Sequence, residues 1–340
     1  MKQPDTGRGL EGWLEALWYG RSPLAWLLLP AAGLFRLIIG IRRYAYRTGW
    51  ARAQRLSVPV IVVGNITIGG TGKTPVTAWL VGLCRAAGYC PGIVSRGYGG
   101  RPAREPRLVR PTDNADDVGD EPLLLSRMTG APVCVHPDRI AAGRRLVAEG
   151  VNVVIADDGL QHLRLHRDLE IAVLDGRRQL GNGFMLPAGP LREPARRLNE
   201  VDLVLVNAGP AAPGHFVLQS AISRLRALDG SGDCALDTLR GQRVRAVAGI
   251  GNPSRFYAQL AEAGLEVQPV PVPDHGRVDL ERLGGESKVP IVMTEKDAVK
   301  YAPVSDLPVW VAQLELKVPS QVGALVLERL SQFQGGIADL

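Results

Sequence analysis

The sequence predicts an α/β protein: a doubly wound sandwich, with an apolar helical segment before it and a second, smaller α/β domain after it. Three observations carry that prediction. Short apolar runs alternate with helical stretches, and the runs are continuous, as in parallel strands covered on both faces. The pattern restarts after Ala208, so a second unit follows the first. One run ends in a glycine-rich turn that opens a helix, Val60-Ile-Val-Val-Gly-Asn-Ile-Thr-Ile-Gly-Gly-Thr-Gly-Lys-Thr-Pro75.

Composition agrees. A chain of 340 residues is long enough for two domains that each bury a core. Hydrophobic content of 46% with 22% charged residues excludes a disordered or fibrous chain. The net charge of +6 comes from arginine, and Arg36, Arg42, Arg43, Arg47, Arg52 and Arg55 crowd the early chain. Such a cluster suits an anionic membrane surface or a nucleic acid. The four cysteines show neither metal-ligand spacing nor a disulfide framework, which points to a reducing cytoplasm.

The N-terminal segment, residues 1–45, is expected to lie on a membrane. Pro23 to Phe35 carries no charge, Arg36 interrupts, and Leu37-Ile-Ile-Gly-Ile41 continues before Arg42-Arg43. A spanning helix needs roughly 20 apolar residues, and Pro30 and Arg36 break this run. Trp13, Trp18, Trp26, Tyr44, Tyr46 and Trp50 flank it, as aromatics do at a lipid–water boundary. An interfacial anchor fits best, with a span or a buried helix as alternatives. Basic residues follow the apolar run rather than lead it, which argues against a cleaved signal peptide.

The main domain, 46–200, reads as strands at Val60–Val63, Pro91–Ser95, Val133–His136, Val151–Ala156 and Leu169–Leu174. Helices are expected at Pro75–Ala87, Glu121–Thr129 and Ile140–Ala148. A further strand at Val201–Val206 abuts the boundary, and Pro187 to Glu200 joins the units. The smaller domain, 201–340, has strands at Val244–Ile250, Val267–Val272, Ile291–Thr294 and Val309–Leu314. A helix from Pro253 to Ala263 and one from Gln321 to Phe333 complete it.

The glycine turn carries the first chemistry. At a helix start the backbone N–H groups lack helical partners and the dipole is positive, so a phosphate chain fits there. Gly69, Gly70, Thr71 and Gly72 supply the cradle, Lys73 a point charge, and Thr74 a hydroxyl for Mg2+. This is a P-loop NTPase-type arrangement, although the strict pattern wants glycine where Thr67 stands. It resembles the deviant loops of partition ATPases, which have a lysine where this chain has Ile68. A ligand-free glycine turn is the alternative.

Other residues are candidates with plainer readings beside them. Asp157-Asp158 ends an apolar strand, where a carboxylate opposite a P-loop holds metal; Asp-Asp-Gly is also good turn sequence. Asp120 could be a helix cap or a general base, and the residues alone favour the cap. Ser95-Arg-Gly-Tyr98-Gly-Gly100 puts a cation and a phenol at the carboxyl end of the sheet, or is a simple loop. His162 and His275 are each more readily structural than catalytic when taken alone. Arg192 could touch phosphate and Glu193 the metal, or the two form a surface ion pair in a linker. Thr294-Glu-Lys-Asp297 reads as a turn with a threonine cap and has no assigned role.

Taken in order, these pieces resemble the tetraacyldisaccharide 4′-kinases, the lipid A 4′-kinases of Gram-negative bacteria. The series is Val63–Pro75, Ser95–Gly100, Gly119–Pro122, Asp157–His162, Arg167–Glu170, Pro187–Glu193 and Asp274-His275, and it covers most of the chain. The resemblance implies that ATP phosphorylates the 4′-hydroxyl of an acylated glucosamine disaccharide 1-phosphate at the cytoplasmic face of the inner membrane. It implies Asp120 as base assisted by His275, and Lys73 and Thr74 on phosphates and Mg2+. It further implies Asp157, Asp158 and Glu193 as metal or site carboxylates, and Arg139, Arg192, Gln161 and His162 as substrate or phosphate contacts. Many relatives have a second histidine where this chain has Gly276. The lipid and the membrane surface are then the partners, nucleic acid is not, and protein partners stay open. A partner-regulated switch ATPase and a soluble small-molecule kinase are the competing readings.

Overall fold

The structure is a computed structural model that describes residues 10–20, 22–102, 104–273, 276–284, 289–302 and 307–337. The expected base partner His275 and its neighbour Asp274 lie outside the described residues.

In chain order the elements are α1 (Leu10–Tyr19), α2 (Leu24–Leu27), α3 (Leu29–Arg47), β1 (Val60–Gly64), α4 (Lys73–Ala86), β2 (Pro91–Ser95), β3 (Arg107–Val109), α5 (Ala115–Val118), α6 (Asp120–Thr129), β4 (Val133–Val135), α7 (Arg139–Ala148), β5 (Val153–Asp157), β6 (Leu169–Asp175) and β7 (Leu203–Asn207). They continue with β8 (Phe216–Ala227), β9 (Asp233–Ala235), β10 (Arg243–Val247), α8 (Pro253–Glu262), β11 (Glu266–Val270), α9 (Leu280–Gly284), β12 (Ile291–Thr294), α10 (Glu295–Ala298), β13 (Val309–Lys317) and α11 (Ser320–Ile337). Every expected strand and helix is present, with ends shifted by a few residues.

The first unit places β7-β6-β1-β5-β2-β4-β3 side by side. All pairings are parallel except the antiparallel edge strand β3. Helices α4, α6 and α11 cover one face, and α7 and α3 cover the other. That double cover is why β1, β2 and β5 are buried along their whole length and read as unbroken apolar runs. The second unit pairs β11-β10-β12-β13 in parallel and has its own apolar clusters.

Strand β8 joins the two. Its first residues, Phe216–Leu218, pair in parallel with β7, and Gln219–Ala227, with Ser223 skipped at a register shift, pair antiparallel with β13. The expected boundary at residue 200 falls ahead of β7, which lies in register with β6 and extends the first unit's sheet to Asn207.

Helix α3 presents two unlike faces. Leu34, Leu37, Ile38, Ile41 and Tyr44 are exposed large apolar residues at helical spacing on one side. Ala32 is buried, and Phe35 and Ile39 pack on the core on the other. Among the described residues no helix is long and apolar enough to cross a membrane.

Candidate active site

The glycine loop hangs from the carboxyl end of β1, an inner strand between β6 and β5, and its geometry dictates its residues. Gly69 has φ 107° and Gly72 φ 91°, a region that disfavours side chains. A Cβ on Gly72 would also sit 2.2 Å from Nδ2 of Asn207. That amide donates to the Thr71 carbonyl at 3.2 Å and so fixes the loop. Helix α4 starts at Lys73, and the N-cap Gly72 offers no side-chain cap. The first-turn N–H groups are thus left for a ligand.

Beside it, β5 delivers Asp157 in register with Val63 of β1. Thr77 of α4 donates to Asp157 Oδ1 at 3.2 Å. Burial pushes this carboxyl above its ordinary range, with Glu121 and Asp158 adding to the rise and Lys73 opposing it. Asp158 adopts φ 50° and turns toward cations. Lys73 Nζ lies 3.5 Å from Oδ1, and Arg192 Nη1 lies 3.1 Å from Oδ2. Burial raises the Asp158 carboxyl, but the two cations together hold it below its usual value. The turn reading of Asp157-Asp158 is therefore true of the backbone and incomplete for the side chains.

Thr74, Asp157 and Asp158 offer the hard oxygen donors that Mg2+ takes alongside nucleotide phosphates. The buried Thr71 hydroxyl and Asn65 Oδ1 have no partner in the loop above them, as expected where a ligand supplies the missing contacts. The residues present fit a nucleotide–Mg2+ group. Among the described residues, no three His, Cys, Asp or Glu side chains form a metal cage on their own.

Glu193 is placed differently from a simple metal ligand. It is 2% exposed, its Oε2 pairs with Arg43 of α3 and with Arg197, and its Oε1 accepts from Gln161 Nε2 at 2.8 Å. Gln161 also donates to the Asn65 carbonyl at 3.0 Å. Neither a linker nor a surface ion pair describes this: the pair is buried and ties the N-terminal helix to the glycine loop.

Arg139 and His162 lie on the other flank. Asp138 caps α7 by accepting from Ile140 N, and Arg139 follows, buried. Arg139 Nε and His162 Nδ1 are both buried without a partner. Burial, helped by Arg139, lowers the His162 pKa to about 4, so the ring is neutral near neutral pH. Tyr98 is well exposed in the loop after β2. That loop packs against α6, since a Cβ on Gly119 would lie 2.5 Å from the Tyr98 carbonyl.

The cap reading of Asp120 is corrected. Gly119, with φ 90° and ψ 148°, occupies the N-cap, and Asp120 is the first residue of α6. Asp120 is buried, with Lys300 Nζ 3.8 Å from its Oδ2. Thr294 does cap α10, accepting from Asp297 N. Motif reading missed three contacts between the units: Lys300 beside Asp120, Arg178 donating to the Gly251 carbonyl at 2.7 Å, and Arg255 donating to Asn207 at 2.9 Å. The Thr294–Asp297 turn was the one available signal.

Between the units lies a cavity of about 210 Å3 that opens on residues 70–75. Leu124, Ile222, Phe256 and Leu314 give it apolar walls. The second unit closes tightly on the loop, because a Cβ on Gly251 would lie 2.5 Å from the Gly70 nitrogen.

A glycine loop at a helix start, a lysine facing a carboxylate at a strand end and a buried carboxylate opening the neighbouring helix α6 mark a P-loop phosphotransferase. The chain matches the family model of tetraacyldisaccharide-1-P 4′-kinase over residues 24–331, and it belongs to that family. It is 45% identical to the tetraacyldisaccharide 4′-kinase of Nitrosococcus oceani, covering 93% of each chain. It is 49% identical to that of Alkalilimnicola ehrlichii, covering 89% of this chain and 92% of the relative. The fold matches a crystal structure of LpxK from Aquifex aeolicus in complex with ATP, with TM-score 0.77 and 28% identity, over 90% of this chain and 99% of that one.

Proposed function

We propose that this chain transfers the γ-phosphoryl group of ATP to the 4′-hydroxyl of a tetraacylated glucosamine disaccharide 1-phosphate, a step of lipid A biosynthesis. The observation that carries the reading is the glycine loop itself, open at the start of α4 with Lys73 facing the Asp158 carboxylate, in a chain that matches the kinase family over residues 24–331. The buried Thr71 hydroxyl in that loop has no partner among the described residues.

In the proposed reaction the backbone of residues 69–72 and Lys73 hold the ATP phosphates, with Arg192 stabilising charge on the transferred group. Thr74, Asp157 and Asp158 would hold Mg2+, which would neutralise phosphate charge. Glu193 is a third site carboxylate and would reach the metal only where Arg43 or Arg197 yields. Asp120 takes the proton as the sugar oxygen forms its bond to phosphorus and ADP leaves, and His275 assists. Arg139 offers a permanent cation to the acceptor's phosphate, neutral His162 and Gln161 offer hydrogen bonds, and Tyr98 lines the entrance.

The acceptor keeps its acyl chains in the bilayer, so the enzyme works from the cytoplasmic face of the inner membrane. Residues 1–45 serve as the interfacial anchor, and against the expected division at residue 200, β7 and α11 go with the P-loop unit, leaving the smaller unit between them. The exposed apolar face of α3 is bordered by exposed Arg36, Arg42 and Arg47, as suits anionic headgroups. The test is a phosphate-transfer assay with ATP and the disaccharide 1-phosphate in mixed micelles. Product formation is expected, and folded protein that binds ATP yet forms none would remove the reading.

A further inference from the structure

We propose that Lys300 is a positioning residue of the transfer reaction, a cation of the second unit that holds Asp120 of the first in its working orientation. The proposal rests on the reading of Asp120 as the base.

Lys300 follows α10, and its side chain is 2% exposed. Its ammonium has three protons to place. One goes to Asp297 Oδ1 at 2.9 Å and one to the Gly276 carbonyl at 3.1 Å. Asp297 is itself fixed, because its Oδ2 accepts from the Gly249 nitrogen at 3.0 Å and from the Thr294 hydroxyl at 2.6 Å. The lysine is thereby aimed before it meets the first unit, and Asp120 Oδ2 lies 3.8 Å from its nitrogen.

Two features separate this from ordinary neutralisation of a buried charge. Asp297 alone balances Lys300, so the second carboxylate is not needed to make the lysine tolerable. Glu121, the neighbour of Asp120, has its own cation in Lys296 at 3.1 Å. At 3.8 Å the contact with Asp120 is a charge interaction rather than a hydrogen bond. Lys300 therefore steadies that carboxylate without using up an acceptor position that a hydroxyl proton requires. The same ammonium grips the carbonyl of Gly276, the residue after His275. One side chain thus links the expected base to the loop that carries its expected helper.

The experiment compares four full-length enzymes in mixed micelles: wild type, Lys300→Met with Asp297→Asn, Asp120→Asn, and the three substitutions together. Pairing Lys300→Met with Asp297→Asn avoids stranding a buried carboxylate, and ATP binding reports that each variant is folded. Loss of orientation at a reacting group costs on the order of 10²-fold. The paired variant is therefore expected to lose about that much kcat, with KM for ATP nearly unchanged. In the Asp120→Asn background the same pair is expected to cost nothing further in single-turnover assays. Unchanged kcat in the paired variant, or an equal loss in both backgrounds, would overturn the proposal while leaving Asp120 as base. Wild-type turnover in Asp120→Asn alone would instead remove the base reading, and the proposal with it.

Discussion

The carboxylates at this site are held in two ways. Asp157 and Asp158 end a strand next to the glycine loop, and their partners, Thr77, Lys73 and Arg192, all come from the first unit. Asp120 starts a helix of the first unit, yet the cation beside it is Lys300 of the second. The phosphate half of the site draws its charged partners from the first unit, although Gly251 of the second closes on its loop, and the acceptor half takes a cation from across the cleft. Damage to the first should appear as lost nucleotide binding, and damage to the second as lost turnover with nucleotide still bound.

Asp120→Ala gives the largest expected effect. Loss of a general base costs about 10²–10⁴-fold in rate, while ATP affinity measured by calorimetry should survive. Intact turnover would collapse the distinction between the halves. His275→Ala should lower turnover less than Asp120→Ala under the same assay, and the opposite ranking would make the histidine the main base.

Gly72→Ala attacks the other half. Forcing a side chain onto φ 91° and against Asn207 costs about 1–3 kcal/mol. That corresponds to roughly 5- to 150-fold weaker ATP binding. Wild-type affinity would show that the loop is softer than its contacts indicate. On the lipid side, Leu37→Ser with Ile41→Ser should weaken binding to vesicles of phosphatidylglycerol and phosphatidylethanolamine at least about tenfold, given ~1.5–3 kcal/mol per buried leucine or isoleucine. Equal sedimentation with vesicles would remove the interfacial role of α3.

The smallest effect concerns pH. The folded His162 pKa, lowered to about 4 by burial and Arg139, lies below the ordinary 6.5. The unfolded chain then binds more protons between those values, so stability from this residue is complete above pH 6.5 and is lost as pH falls through 4. His162→Gln should flatten that part of the denaturation profile. An unchanged slope would mean that the ring is not buried in its neutral form.

The phosphate half was legible because its signals are local. A buried parallel strand has to be apolar throughout, a left-handed turn favours glycine, and Lys73 opens the helix that follows β1 while Asp158 directly follows its partner strand β5. Asp120 was misjudged because a cap is the commonest use of an aspartate before a helix, whereas Gly119 had taken that position. Lys300 was invisible because its partner is 180 residues away in the chain. Strand β8 escaped for a different reason. It is half exposed, with Gln219, Arg224 and Arg226 among its residues, and so lacks the continuous apolar character that marked the others.

Strand β8 has a mechanical consequence. It leaves one pairing and enters the other within one strand, its first three residues paired with β7 and eight of its last nine with β13. Two lobes joined this way cannot swing apart like beads on a cord. Any widening of the cleft has to be taken up as torsion along a shared rod, and that rod already departs from regular pairing at Ser223, the residue skipped between Arg224 opposite Gln313 and Ile222 opposite Leu314.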